Sequence, residues 1–240
     1  MVLDDWKVMP HGDLIEAEDG VLTVAGEIEM PLGHFPRRMT VVRLRGDRSI
    51  IFSAIALEPE AMKRVEALGW PTFLVVPNAR HRLDARIWKQ RYPAIKVIAP
   101  RGSREAVEEA VPVDASGDRF DDPDVAFVTI PGTGEREAAL MVRRAGGLTL
   151  VVNDIIANVA HPNGIGAQLM GRMFGFGVRA PQVPRAVRHK LVSNPVALAE
   201  QFRDWARHPH LRRIIVSHGD IIADEPARVL RDLADRLDPR

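Results

Sequence analysis

Four short apolar runs in this chain each end abruptly in polar residues. The first run, residues 73–76, is followed at once by the polar segment 77–84. The other three runs are residues 125–130, 148–152 and 214–216. Runs of this length are too short for helices and are typical of strands that are buried on both faces. Ligands of layered α/β folds bind outside the strand ends. The polar segments that follow these four runs, here called the polar exits, therefore predict one pocket along a sheet edge.

The remaining segments add antiparallel strands and helices to this pattern. Residues 21–24 and 26–30 alternate apolar and polar side chains and predict a hairpin half exposed to water. The predicted helices include residues 59–68, 84–91, 103–110, 195–207 and 224–237. Both halves of the chain have strands first and helices after, which indicates two sheets covered by helices. The length of 240 residues favours a single domain over residues 1–240.

Composition excludes several classes of function. Lys and Arg (33) nearly balance Asp and Glu (32), and the formal charge of +1 gives no basic field for attracting nucleic acid. The absence of cysteine rules out disulfides, thiolate ligands and a cysteine nucleophile, so a metal site must use His, Asp or Glu. The first residues lack a secretory signal pattern, and no apolar run is long enough to span a membrane. A cytoplasmic protein without a membrane partner is the expectation.

Residues 157–184 differ from the rest because they combine five glycines with methionine and phenylalanine. Glycine weakens any helix here, whereas the apolar side chains require burial. We therefore expect either a lid or a homo-oligomer contact, with an irregular loop packed on its own domain as the alternative.

The polar exits, read together, resemble a known family. Residues 77–84 read Pro-Asn-Ala-Arg-His-Arg-Leu-Asp, residues 131–133 Pro-Gly-Thr, residues 153–154 Asn-Asp, and residues 217–219 Ser-His-Gly. In this order they resemble the strand-end motifs of the metallo-β-lactamase fold, and most closely its uncharacterised DUF4336-like branch. The resemblance covers nearly the whole chain and implies a four-layer αββα sandwich with its site along one edge.

The metal motif of active relatives is only partly present. Their first motif reads His-x-His-x-Asp-His, and four other residues stand at its ligand positions here, namely Asn78, Arg80, Arg82 and Leu83. Thr133 replaces the histidine of the Pro-Gly-His motif, which leaves Asp154 and His218 from the family's ligand set. A catalytic zinc normally keeps three protein ligands and an open position for water. The resemblance therefore implies a largely lost dinuclear metal site.

A shift of one residue in the first motif gives a second interpretation. His81 and Asp84 then become ligands, since a helix starting at Asp84 brings positions i and i+3 to one side. Together with Asp154 and His218 they form a set of two histidines and two carboxylates. The metal is then zinc or another divalent transition metal, whereas the first interpretation requires no cofactor.

Two functional hypotheses follow, and the sequence leaves open whether the protein is an enzyme. The first is a pocket that binds a small anionic ligand through Asn78, Arg80, Thr133 and His34, with arginine paired to Asp154 in place of the cation. The second is a metal-dependent hydrolase of an ester, lactone, thioester or phosphoester, in which Asp154 and His218 are the catalytic residues.

Overall fold

Two β-sheets lie face to face in this protein, and helices cover their outer surfaces. The computed structural model describes residues 2–30, 33–159 and 180–239, without the side chains of residues 29, 30, 33 and 34. The first sheet has the order β1 (Ile15–Glu18), β2 (Val21–Met30), β3 (Gly33–Leu44), β4 (Arg48–Phe52), β5 (Trp70–Val75) and β6 (Lys96–Ile98). The second has the order β10-β9-β8-β7, formed by β7 (Val125–Thr129), β8 (Ala138–Arg144), β9 (Gly147–Asn158) and β10 (Leu211–Gly219).

The helices form the two outer layers. Those of the first half are α1 (Pro59–Leu68), α2 (Ala85–Arg91) and α3 (Arg104–Glu108), the last preceded by the 3₁₀ turn Arg101–Ser103. Those of the second half are α4 (Arg185–Lys190), α5 (Pro195–Ala206) and α6 (Pro226–Leu237). None of the helices within the described ranges is long and apolar enough to cross a membrane.

Three apolar layers hold the sandwich together. The inner one joins the two sheets, with Phe52 of the first sheet and Ile215 of the second fully or almost fully buried. Trp88 belongs to the layer between the first sheet and its helices, and Phe202 belongs to the layer between the second sheet and α5 and α6. This arrangement confirms the predicted α/β fold class and the four-layer αββα sandwich.

The predicted hairpin within residues 21–30 is wrong. These residues form one strand, β2, which pairs along its length with β3. Gly26 is extended and pairs with Arg37, and a Cβ there would lie 3.2 Å from Ile55 Cδ1. This glycine therefore permits a close approach between strand and core and does not mark a turn.

Most of residues 157–184, the predicted lid or subunit contact, lies outside the described residues. The described flanks meet at a bridge between Ala157 and Gln182.

Candidate metal centre

An irregularity in β9 places Asp154 at the sheet edge. Pairing with β10 jumps from Val152 opposite Val216 to Ala157 opposite His218, so β9 advances five residues where β10 advances two. The strand was expected to end at Val152, and this is wrong because it continues to Asn158. The extra residues bend the strand without ending it. Asp154 lies in this stretch and is only 4% exposed. It lies close to His218, the next-to-last residue of β10.

Glu137 fixes the irregular stretch, and sequence analysis missed it. Its fully buried carboxylate accepts a hydrogen bond from Asn78 Nδ2 at 2.7 Å, and the backbone amides of Asp154 and Ile155 favour its ionised form. Burial, reinforced by the charge of Asp154, raises the pKa of Glu137 well above its usual value, although these donors oppose the shift. The one sequence signal was an acidic residue directly before an apolar strand.

Three side chains from separate segments converge next to Glu137. His218 Nε2 lies 2.7 Å from Asp154 Oδ1, and His81 Nε2 lies 3.2 Å from the same oxygen. One ligand atom from each of the three residues lies within 4.8 Å of those of the other two. Two imidazoles and one carboxylate are a donor set that suits zinc and several other divalent transition metals.

The outer nitrogens of both histidines are also bonded. His218 Nδ1 lies 2.7 Å from the carbonyl oxygen of Pro36, and His81 Nδ1 lies 2.8 Å from Ser53 Oγ. A carbonyl oxygen can only accept, so the proton of His218 sits on Nδ1 and the lone pair of Nε2 faces Asp154. Histidines that bind metals are held in this way, with the distal N–H donated to a carbonyl or another polar group.

The contact between His218 Nε2 and Asp154 Oδ1 tests whether these residues fit a cation. With Nδ1 already protonated, two lone pairs meet at 2.7 Å unless Nε2 takes a second proton or a cation occupies the shared space. A divalent metal bound by both lone pairs would remove this repulsion, so the three residues fit such a metal.

Electrostatics around the three residues also favour metal binding. Burial by itself raises the pKa of Asp154, but the positive charge of His81 and the hydrogen bonds that both histidines donate when Nε2 carries a proton hold that pKa well below its usual value. Burial lowers the pKa of His81 and outweighs the opposing effect of Asp154. Both shifts favour the deprotonated forms that coordinate metals.

Asn78 and Arg80 occupy the other side of Asp154. Asn78 Nδ2 donates to Asp154 Oδ2 at 2.8 Å, and Asn78 Oδ1 accepts from the Arg80 amide at 2.8 Å. Arg80 Nη1 lies 3.7 Å from Oδ2, and the side chain is 52% exposed. Asp154 therefore presents Oδ1 to the histidines and Oδ2 to the amide and the guanidinium.

Two of the remaining predicted residues, Asp84 and Thr133, do not join this cluster. The Asp84 carboxylate pairs with Arg37 and accepts from the Ala56 amide. The Thr133 hydroxyl donates to the Ile130 carbonyl. The side chain of His34 lies outside the described residues. Of the four candidate metal ligands, three meet and Asp84 is separately engaged.

Arg82, which stands at the motif's aspartate position, turns away from the cluster. Its guanidinium donates to the Ala106 carbonyl and pairs with Glu109 of the neighbouring α3 segment. A cation next to Asp154 is therefore not opposed by this arginine at close range.

Comparison with solved structures identifies the fold. The metallo-β-lactamase FIM-1 from Pseudomonas aeruginosa in its mono-zinc form is similar, with TM-score 0.64, 16% identity, and coverage of 97% of this chain and 99% of that chain. A metallo-β-lactamase from Hirschia baltica gives TM-score 0.61 at 12% identity, covering 94% and 98%. The DIM-1 metallo-β-lactamase gives TM-score 0.63 at 10% identity, covering 96% and 99%. No family model and no curated protein matches this sequence.

This protein therefore has the metallo-β-lactamase fold. At these identities the likeness concerns the fold alone, and the finer resemblance to the DUF4336-like branch stays a prediction. The function must be inferred from the cluster of His81, Asp154 and His218.

Proposed function

We propose that this protein is a hydrolase with a mononuclear metal site formed by His81, Asp154 and His218. The convergence of these three ligand atoms is the observation that supports the proposal. The Nδ1 atoms of both histidines are also engaged, His81 with the Ser53 hydroxyl and His218 with the Pro36 carbonyl. The set of two histidines and one carboxylate also occurs in catalytic zinc sites that leave one position for water. A bound metal would supply an acidified water and polarise the substrate oxygen.

The site is proposed to be mononuclear because the other positions of the family motif offer no good ligands. Arg82 is committed to Ala106 and Glu109, and the Thr133 hydroxyl is committed to Ile130. Asn78 is bound to Glu137 and Asp154 through its amide nitrogen and to the Arg80 amide through its oxygen. Under this proposal one set of ligands serves where the dinuclear sites of the resembling family have two.

The protein's own residues also indicate how a substrate would be held. The exposed guanidinium of Arg80 at the edge of the cluster suits a carboxylate or phosphate group. We propose a small anionic ester, lactone, thioester or phosphoester as the substrate. Asn78 keeps Asp154 oriented while the substrate is bound.

Metal titration tests the site directly. Calorimetric titration of EDTA-treated, dialysed protein with zinc chloride should give a stoichiometry of about one. At a free zinc concentration of about 100 Kd the fold should gain about 2.7 kcal/mol, which raises the melting temperature by roughly 5–10 °C. Parallel titrations with manganese and ferrous iron would identify the preferred metal. Two equivalents bound with similar affinity, or no binding of any of the three, would contradict the proposal.

A metal-free anion-binding pocket is the second candidate, and the position of Arg80 beside Asp154 favours it. In this case EDTA-treated protein should bind phosphate or oxalate, and Arg80→Ala should reduce the affinity about tenfold or more. The exposed Arg119 provides a matched control, since Arg119→Ala removes the same charge elsewhere. If the hydrolase proposal holds instead, Arg80→Ala should raise KM for anionic substrates while zinc binding persists.

A further inference from the structure

Ser53 has a backbone conformation that serine rarely adopts. It directly follows β4 and has a φ of 56°, in the left-handed region where glycine is the usual residue. Its amide donates to the Val75 carbonyl at 3.1 Å, and the residue is 5% exposed. Side chains at such angles are strained, and strain of this kind concentrates at functional sites.

The Ser53 hydroxyl bonds to one histidine of the metal cluster. Ser53 Oγ lies 2.8 Å from His81 Nδ1, on the side of the ring opposite to Asp154. A hydroxyl can donate or accept, whereas the Pro36 carbonyl behind His218 can only accept. Ser53 is therefore able to pair with either tautomer of His81, while His218 is restricted to one.

The two tautomers of His81 suit the metal-free and the metal-bound state of the site. With the proton on Nε2, the ring donates to Asp154 and Nδ1 accepts from the Ser53 hydroxyl. With the proton on Nδ1, the ring donates to Ser53 and the lone pair of Nε2 is available to a cation. The hydroxyl changes from donor to acceptor by rotation about one bond.

We propose that Ser53 is a positioning residue that holds His81 in both states, and that the strained backbone is retained because glycine would lack the hydroxyl. This inference rests on the proposed metal site. It predicts that stability and metal affinity change in opposite directions when Ser53 is replaced by glycine. A residue with a purely structural role would change the two together.

The test compares Ser53→Gly and Ser53→Ala with the wild type. Ser53→Gly removes the hydroxyl and relieves the strain, so its melting temperature should equal or exceed that of the wild type. Its zinc affinity should fall about 10–100-fold, the range seen when partners of metal-binding histidines are removed. Ser53→Ala should lose affinity similarly while keeping the strain, and it also serves if the glycine variant fails to fold.

Asp47→Gly is the matched control for the backbone effect. Asp47 also has a positive φ, 52°, but it lies on an exposed turn between β3 and β4. Glycine there should relieve strain and leave zinc affinity unchanged. Nitrogen-15 NMR of the imidazoles in EDTA-treated protein supplies a second readout, because loss of the hydroxyl should change the tautomer balance of His81 and not that of His218.

The outcomes separate this inference from the metal proposal. If wild-type protein binds zinc and Ser53→Gly binds it equally well with an unchanged His81 tautomer, the role of Ser53 is overturned. An equal loss of stability and affinity in Ser53→Gly also overturns it. If the wild type binds no metal, the metal proposal fails, and the NMR comparison still decides whether Ser53 positions His81.

Discussion

Asp154→Ala should abolish metal binding and turnover together. Asp154 Oδ1 is the atom that both histidines face, so its removal leaves two neutral imidazoles and no anionic ligand. Removing partners behind metal-binding histidines costs about 10–100-fold in affinity, and loss of a ligand should exceed that range. His218→Ala should have a similar effect because it leaves only two ligands. Zinc titration measures the binding of each variant.

Turnover can be followed with mono(p-nitrophenyl) succinate and bis(p-nitrophenyl) phosphate, which are anionic esters of a carboxylic acid and of phosphoric acid. Asp232→Ala and His210→Ala are matched controls because both residues are exposed on the surface, and both variants should behave like the wild type. Hydrolysis of either probe at wild-type rate by Asp154→Ala or His218→Ala would contradict the metal-dependent mechanism.

Asp84→Asn should destabilise the fold by about 3–5 kcal/mol, the range for breaking a buried ion pair from one side. The side chains of Asp84 and Arg37 are 0% and 5% exposed, so asparagine would leave the Arg37 cation buried without its counter-ion. Burial raises the pKa of Asp84, while Arg37 and the Ala56 amide oppose that shift. Urea unfolding at neutral pH measures the loss, and the midpoint should fall markedly.

Replacing both partners is the control for this pair. Arg37→Met combined with Asp84→Leu removes both buried charges, and the cost should be much smaller than that of Asp84→Asn alone. Zinc affinity distinguishes a structural role of Asp84 from a role as a metal ligand. Asp84 does not belong to the cluster of His81, Asp154 and His218, so Asp84→Asn should keep its zinc affinity. A variant Asp84→Asn that keeps its stability and loses its metal would show that Asp84 is a ligand.

Part of the site was predictable from local patterns. Residues 148–152 and 214–216 are apolar runs, and polar residues at the ends of adjacent strands meet at one sheet edge. That reasoning predicted that Asp154 and His218 lie close together, and His218 Nε2 lies 2.7 Å from Asp154 Oδ1 in the structure. The helical expectation for residues 84–91 was also sound, since α2 begins one residue later.

The direction of side chains in the segment 77–84 was not predictable. His81 and Asp84 were equal candidates in the sequence, yet His81 faces Asp154 whereas Asp84 pairs with Arg37. Arg37 lies on β3, far away in the chain, so the choice depends on a contact that no local pattern records. Glu137 was missed for the same reason, because its partners come from the irregular stretch of β9.

The sequence by itself determined that two sheets are covered by helices and that polar residues gather at one sheet edge, because short apolar runs and the polar residues that end them are local consequences of side-chain chemistry. Only the tertiary structure decided which donors form the site. Ligand geometry depends on the three extra residues in β9, on the hydroxyl of Ser53 behind His81 and on the carbonyl of Pro36 behind His218. These contacts join residues that are distant in the chain, and the one between Pro36 and His218 forms only when the two sheets have packed together.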